Sequence, residues 1–96
     1  MKRKWKHFTK WQLRQALSWV DSGGIAVHDI SGKPVRGSMK ISHLLVGGMN
    51  MLELKRVMEE LGLKLDWLQR TSVPAHIHFD IFGEPRRRAL QKCKET

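Results

Sequence analysis

His76, His78 and Asp80 alternate along the stretch AHIHFDI. On a β-strand alternate side chains share one face at about 7 Å spacing, so two imidazoles and a carboxylate would point the same way. Hydrolytic metal sites use strand-borne pairs of this kind, completed by ligands from elsewhere in the chain. His43 and the His28-Asp29 pair are the donors available for that purpose. The corresponding enzyme is a metal-assisted phosphoesterase or nuclease. His43, His78 and Asp80 would be its ligands, with His76 as a further donor and Arg86 holding a phosphate. The competing reading is a polar sheet face that is open to solvent or covered by a loop. No His-Glu-x-x-His, phosphate-binding glycine loop or nucleophile elbow accompanies the grouping. The favoured expectation is therefore a protein that is not an enzyme and carries no metal or other cofactor.

Two basic groupings point elsewhere. Arg86, Arg87 and Arg88 follow Gly83-Glu84-Pro85, which reads as the start of a helix. Three like charges oppose the positive end of the helix dipole, yet they concentrate guanidinium groups where a phosphate would be welcome. The alternative is that Arg87 and Arg88 lie over a solvated face while Arg86 pairs with Asp80 or Glu84. The second grouping is Lys2, Arg3, Lys4, Lys6, Lys10 and Arg14, with Trp5 and Trp11 interleaved and no acid before Asp21. Cations meet phosphate and indoles stack on exposed bases, a combination suited to nucleic acid. The alternative there is a solubilising tail with Trp11 packed on the domain.

Overall charge agrees with an anionic partner. Eighteen Lys and Arg against nine Asp and Glu give +9 on 96 residues. A field of that size attracts phosphate polymers and raises association rates, although it says nothing about fold. The alternative is charge kept for solubility. The apolar runs are much shorter than the roughly 18–20 residues that span a bilayer, so no membrane partner is expected. No apolar core follows Lys6 in the manner of a secretory signal. The single Cys93 excludes an internal disulfide and a Cys-based zinc ribbon, and fits a cytoplasmic setting.

The elements that must position these groups follow from periodicity. Thr9 and Gln12 read as a capping box, with Phe8 stapling against Leu13. Leu13, Ala16, Leu17 and Val20 give one apolar face to a helix over about 10–22, ended by Gly23-Gly24. Residues 25–30 read as a strand, 31–34 as a turn, 35–40 as a basic loop and 41–46 as a second strand. Asn50 and Glu53 cap a helix over 51–61. Leu54, Val57, Met58 and Leu61 form its stripe, and Gly62-Leu63 closes it in a Schellman turn. Residues 64–69 and 75–81 read as strands flanking a loop at 70–74. A last helix carries Ala89, Leu90 and Cys93 on its apolar edge. The expectation is one α/β (α+β) domain over 1–96, ordered α-β-β-α-β-β-α. Three helices would pack on a three- or four-stranded sheet, with residues 1–8 as a flexible basic arm.

Laid out in this order, the chain resembles a family of small bacterial and phage proteins catalogued as domain of unknown function 4031. The matching pieces are Ala26-Val27-His28-Asp29, His43-Leu44-Leu45, Leu61-Gly62-Leu63, Trp67-Leu68-Gln69, His78-Phe79-Asp80, and then Arg86 and Ala89. They cover about residues 25–90 with the spacings in order. The resemblance implies that His43, Trp67, Gln69, His78, Asp80 and Arg86 are the family's polar and aromatic positions, gathered in one pocket. It also implies a phage or bacterial setting. The chain departs from the pattern where His28-Asp29 stands for Asp-Asp and Val46-Gly47 for Ala-Asp, and the latter removes an acidic ligand. His76 is not a family position.

The function expected from all this is that of a small nucleic-acid-binding accessory protein, encoded by a phage or mobile element. It would contact DNA or RNA through Lys2, Arg3, Lys4, Trp5, Lys6, Lys10, Trp11, Arg14 and Arg86 to Arg88. The alternatives are the metal-assisted phosphoesterase and an inhibitor or adaptor that binds an acidic host protein.

Overall fold

The structure is a computed structural model that describes residues 3–30, 41–48, 50–64, 68–70 and 76–95; for 68–70 and 76 it describes the backbone alone. The elements run β1 (Trp5–Phe8), α1 (Leu13–Asp21), β2 (Ile25–Asp29), β3 (Ser42–Gly47), α2 (Met51–Leu61), β4 (Leu68–Arg70), β5 (His76–Ile81) and α3 (Gly83–Glu95). They form the expected α+β arrangement of three helices on one mixed sheet. Among the described residues the strand order is β1-β2-β3-β5-β4, parallel at β1–β2 and antiparallel at the other pairings. No described helix is long and apolar enough to cross a membrane.

The register sorts side chains onto two faces. Ile25 and Val27 on β2, Leu44 and Val46 on β3, and Phe79 and Ile81 on β5 share one face. Against them pack Leu54, Val57, Met58 and Leu61 of α2 and Ala89 of α3, forming the larger core. Leu90 and Cys93 flank it, and burial pushes the Cys93 thiol up to about 11, which leaves it protonated at neutral pH. On the opposite face Ala26 and Leu45 meet Ala16 and Val20 of α1, with Phe8 from β1. That helix covers only part of its face. The remainder holds His28, His43, His78 and Asp80.

Residues 5–8 are a correction to the expected arm: Trp5–Phe8 is an edge strand in register with Ile25–His28. The reason is that the sheet is buried on both faces. Trp5 enters the larger core and Phe8, three residues on, enters the smaller one. Arg3 fixes the start of this strand. Its Nε donates to Glu53 at 2.8 Å, its Nη1 to the Gly23 carbonyl at 2.8 Å and its Nη2 to the Gly48 carbonyl at 3.2 Å. Trp19 fixes the other side, donating from Nε1 to the carbonyls of Lys4 and Ile25 at 3.3 and 3.2 Å. A Cβ on Gly24 would lie 2.3 Å from that nitrogen, so only glycine lets the indole lie there.

The helix boundaries test the capping readings. At α2 the Asn50 side chain accepts from the Glu53 amide at 2.9 Å. Gly62 is left-handed (φ 74°), and the Leu63 amide reaches the Met58 carbonyl at 2.8 Å, which is the expected Schellman closure. At α1 the reading holds only in part. Gln12 Oε1 accepts from the Thr9 amide at 3.0 Å, but it also takes the Thr9 hydroxyl, so no side chain caps the helix and α1 begins at Leu13. Leu13 is 48% exposed and makes no staple, because Phe8 is drawn into the sheet. The strand expected over 64–69 begins at Leu68, and Lys64 is outside any element. The turn at 31–34, the loop at 35–40, residues 65–67 and residues 71–75 lie outside the described residues.

Candidate functional site

Polar side chains meet at one end of the sheet, in two groups on opposite faces. On the α1 face, register sets His28, His43 and Asp80 in one row across β2, β3 and β5, with His43 in the middle. His78 occupies the adjoining row, opposite Leu45. His43 Nε2 lies 3.1 Å from Asp80 Oδ1. The His43 and His78 rings are tilted together with centroids 4.7 Å apart. One ligand atom from each of His43, His78 and Asp80 can be chosen so that all three lie within 4.8 Å of one another.

Burial gives this group its character. His28 is 5% exposed, and both its ring nitrogens, together with His78 Nδ1, are buried without a hydrogen-bond partner among the described residues. An unsatisfied buried polar group costs about 1–3 kcal/mol, so such groups call for an explanation. Burial and the neighbouring His78 lower the pKa of His43, partly countered by Asp80 and lowered further by His28. The neutral imidazole that results is the form able to offer a lone pair.

On the α2/α3 face Asp29 and Ser42 are opposed across β2 and β3. Ser42 Oγ donates to Asp29 Oδ1 at 2.9 Å and accepts from Arg86 Nε at 2.9 Å. Arg86 Nη2 stands 3.7 Å from the same Asp29 oxygen, and His7 Nε2 is 2.9 Å from Asp29 Oδ2. Burial raises the Asp29 pKa, but hydrogen bonds from His7 and Ser42 and the charges of His7 and Arg86 outweigh it. The carboxyl is held below its ordinary value. Every member of this group has a partner.

The structure therefore brings together three of the four residues expected in a catalytic pocket. His43, His78 and Asp80 converge; Arg86 does not join them, because Ser42 and Asp29 engage it on the other side of the sheet. The backbone of His76 lies on β5 opposite Gly47, and that of Gln69 on β4 opposite His78. Their side chains, and all of Trp67, lie outside the described residues. Ser42 and His7 were missed by the sequence reading. The signal that could have found Ser42 is its position next to His43, which puts it on the face of Asp29.

The cationic groups divide in a similar way. Arg3 is held by Glu53, Arg87 by Glu84, and Arg88 by Glu84 at 3.4 Å with the Glu60 carbonyl at 3.4 Å. Arg87 and Arg88 draw the Glu84 carboxyl down to about 2. Trp5 is 8% exposed and packs in the core, so its expected stacking role is corrected. Trp11 is 83% exposed, with Lys10 Nζ 4.8 Å from its ring centre. Lys6 Nζ sits 5.5 Å from the ring centre of Phe8 and 5.3 Å from that of Trp19. Two surface depressions adjoin at Lys6 and Trp19, one lined also by Arg14 and the other by Lys4 and Lys94; no described carboxylate lines either. Lys2 lies outside the described residues. No family model, curated protein or solved structure matches this chain.

Proposed function

We propose that the protein binds nucleic acid along the strip Arg14, Lys6, Lys4 and Lys94, with the exposed Trp11, three residues before Arg14 in the chain, as a stacking platform. The observation that carries this reading is the composition of the two adjoining depressions: cations from α1, the β1 segment and α3 without a carboxylate among their described lining residues. Phosphates would follow the strip, and an indole as exposed as Trp11 offers a face to an unpaired base. The binding surface thus differs from the one expected from sequence. Arg3, Arg86 and Arg88 tie separate elements together, Arg87 is paired with Glu84 within α3, and Lys94 takes a place beside the β1 lysines. The resemblance to domain of unknown function 4031 belongs with this proposal as kinship and as a phage or bacterial setting; it supplies no reaction.

The test is fluorescence anisotropy with labelled single-stranded and duplex oligonucleotides across a salt series. With four phosphates neutralised, affinity is expected to fall roughly 50- to 150-fold between about 50 and 200 mM salt. Lys6→Glu combined with Arg14→Glu should weaken binding at least tenfold on the order of two lost contacts, and flatten the salt slope. Both positions are exposed, so the fold tolerates the change. A flat salt response would reject the proposal. So would an acidic protein partner retained after nuclease treatment with no nucleic acid co-purifying.

A further inference from the structure

We infer that His28, His43, His78 and Asp80 form a binding site for one borderline divalent transition-metal ion of the zinc class. The inference is independent of the nucleic-acid reading, since it uses the histidines and Asp80 at the end of the sheet and none of the lysines. Convergence is the first support: ligand atoms of His43, His78 and Asp80 lie within 4.8 Å of one another, close enough to share one ion after small side-chain rotations.

A grouping of that sort on a wet sheet face would be ordinary. The second, independent support is that His28 is not on a wet face. It is more than nine-tenths buried, stands directly across the β2–β3 pair from His43, and both its ring nitrogens are without a hydrogen-bond partner among the described residues. His78 Nδ1 is in the same condition. Directly opposed residues on paired strands have Cβ atoms about 4.5–5.5 Å apart, so the His28 side chain borders that of His43. It stands outside the set of His43, His78 and Asp80 that already converges, and would reach the shared ion by rotating about its side-chain bonds. An ion would accept lone pairs that have no hydrogen-bond donor to meet.

The donor set selects the class of ion. Three imidazoles and one carboxylate suit zinc and its neighbours, whereas calcium and magnesium take oxygen ligands. Four protein donors fill a tetrahedral shell, and the ion would tie β2, β3 and β5 together across their common row.

The experiment uses the full chain, stripped with a chelator and titrated with zinc by calorimetry and with cobalt by visible absorption. Expected are one equivalent per chain, a cobalt spectrum of four-coordinate intensity, and no competition from a large excess of magnesium. His78→Gln and His28→Leu should each weaken zinc binding at least tenfold on the order seen for lost ligands. His7→Ala, which alters the other His/Asp pair, should leave it unchanged. Circular dichroism establishes that each variant is folded before it is titrated. Absence of saturable binding overturns the inference. So does zinc affinity that survives both His78→Gln and His28→Leu, or that is lost in His7→Ala instead.

Discussion

The two faces of the sheet end carry similar residues in opposite states. Asp29 and Ser42 are one residue away in sequence from His28 and His43, on the same two strands. On the α2/α3 face each polar atom of the group meets another: Arg86 with Ser42, Ser42 with Asp29, Asp29 with His7. On the α1 face two imidazoles keep buried nitrogens that meet no hydrogen-bond partner among the described residues. Polar residues at a strand end are thus of two kinds. A closed network holds elements together, and here it ties α3 and β1 to the central strands. An open one is maintained at a cost to stability, and the proposed metal ion is what would offset that cost.

The largest expected effect that would sharpen this contrast is at the closed network. Arg86→Ala removes the donor that Ser42 accepts and one of the charges on Asp29, and should cost about 1–3 kcal/mol in urea unfolding. Zinc affinity should not change, because Arg86 is on the other face. A parallel loss of zinc binding would collapse the distinction between the two groups.

A smaller effect of opposite sign is expected at the open one. His28→Leu exchanges an unsatisfied buried imidazole for an apolar side chain of similar size. The metal-free protein should therefore hold its stability or gain up to about 1 kcal/mol, read by thermal melting in chelator. A loss of several kcal/mol would show that His28 has a structural partner and that the face is not open.

The smallest effect is a pH dependence. Asp29 has a folded pKa below its ordinary 3.8, so its network contributes stability that is complete above that value and is lost as pH falls through the folded value. With the side chain 34% exposed, solvent screening keeps the contribution below about 1 kcal/mol. Urea midpoints of the protein and of Asp29→Asn should differ at pH 6 and approach one another as pH falls below 3.8. A difference that stays constant over that interval would show that the ionised carboxylate is not what the network holds.

Much of this was legible in the sequence, and the omissions have physical causes. The stripe Leu54, Val57, Met58 and Leu61 with Asn50 and Gly62 at its ends specified α2 to the residue, because cap and periodicity agree there. The alternation in 75–81 placed His78 and Asp80 on one face for the same reason. β1 was hidden because a four-residue strand buried on both faces shows no alternation, and two of its residues are basic or ionisable. Arg86 was misplaced because spacing along a helix does not say which face of a sheet a long side chain will reach. His28 was visible as a donor, yet its burial follows from β1 and β3 closing on either side of β2, which no local pattern encodes.

The parallel strand at the rim has one more implication. Among the described residues Trp5–Phe8 is the edge strand, so this rim is what a second chain would meet on approach. Lys4 and Lys6 stand at that rim and repel a like-charged copy. The same two ammonium groups would therefore serve as gatekeepers against self-association and as the anchor for a polyanion. Conditions that mask them, high ionic strength above all, would loosen the grip on ligand and weaken the guard against fibril-like pairing in a single stroke.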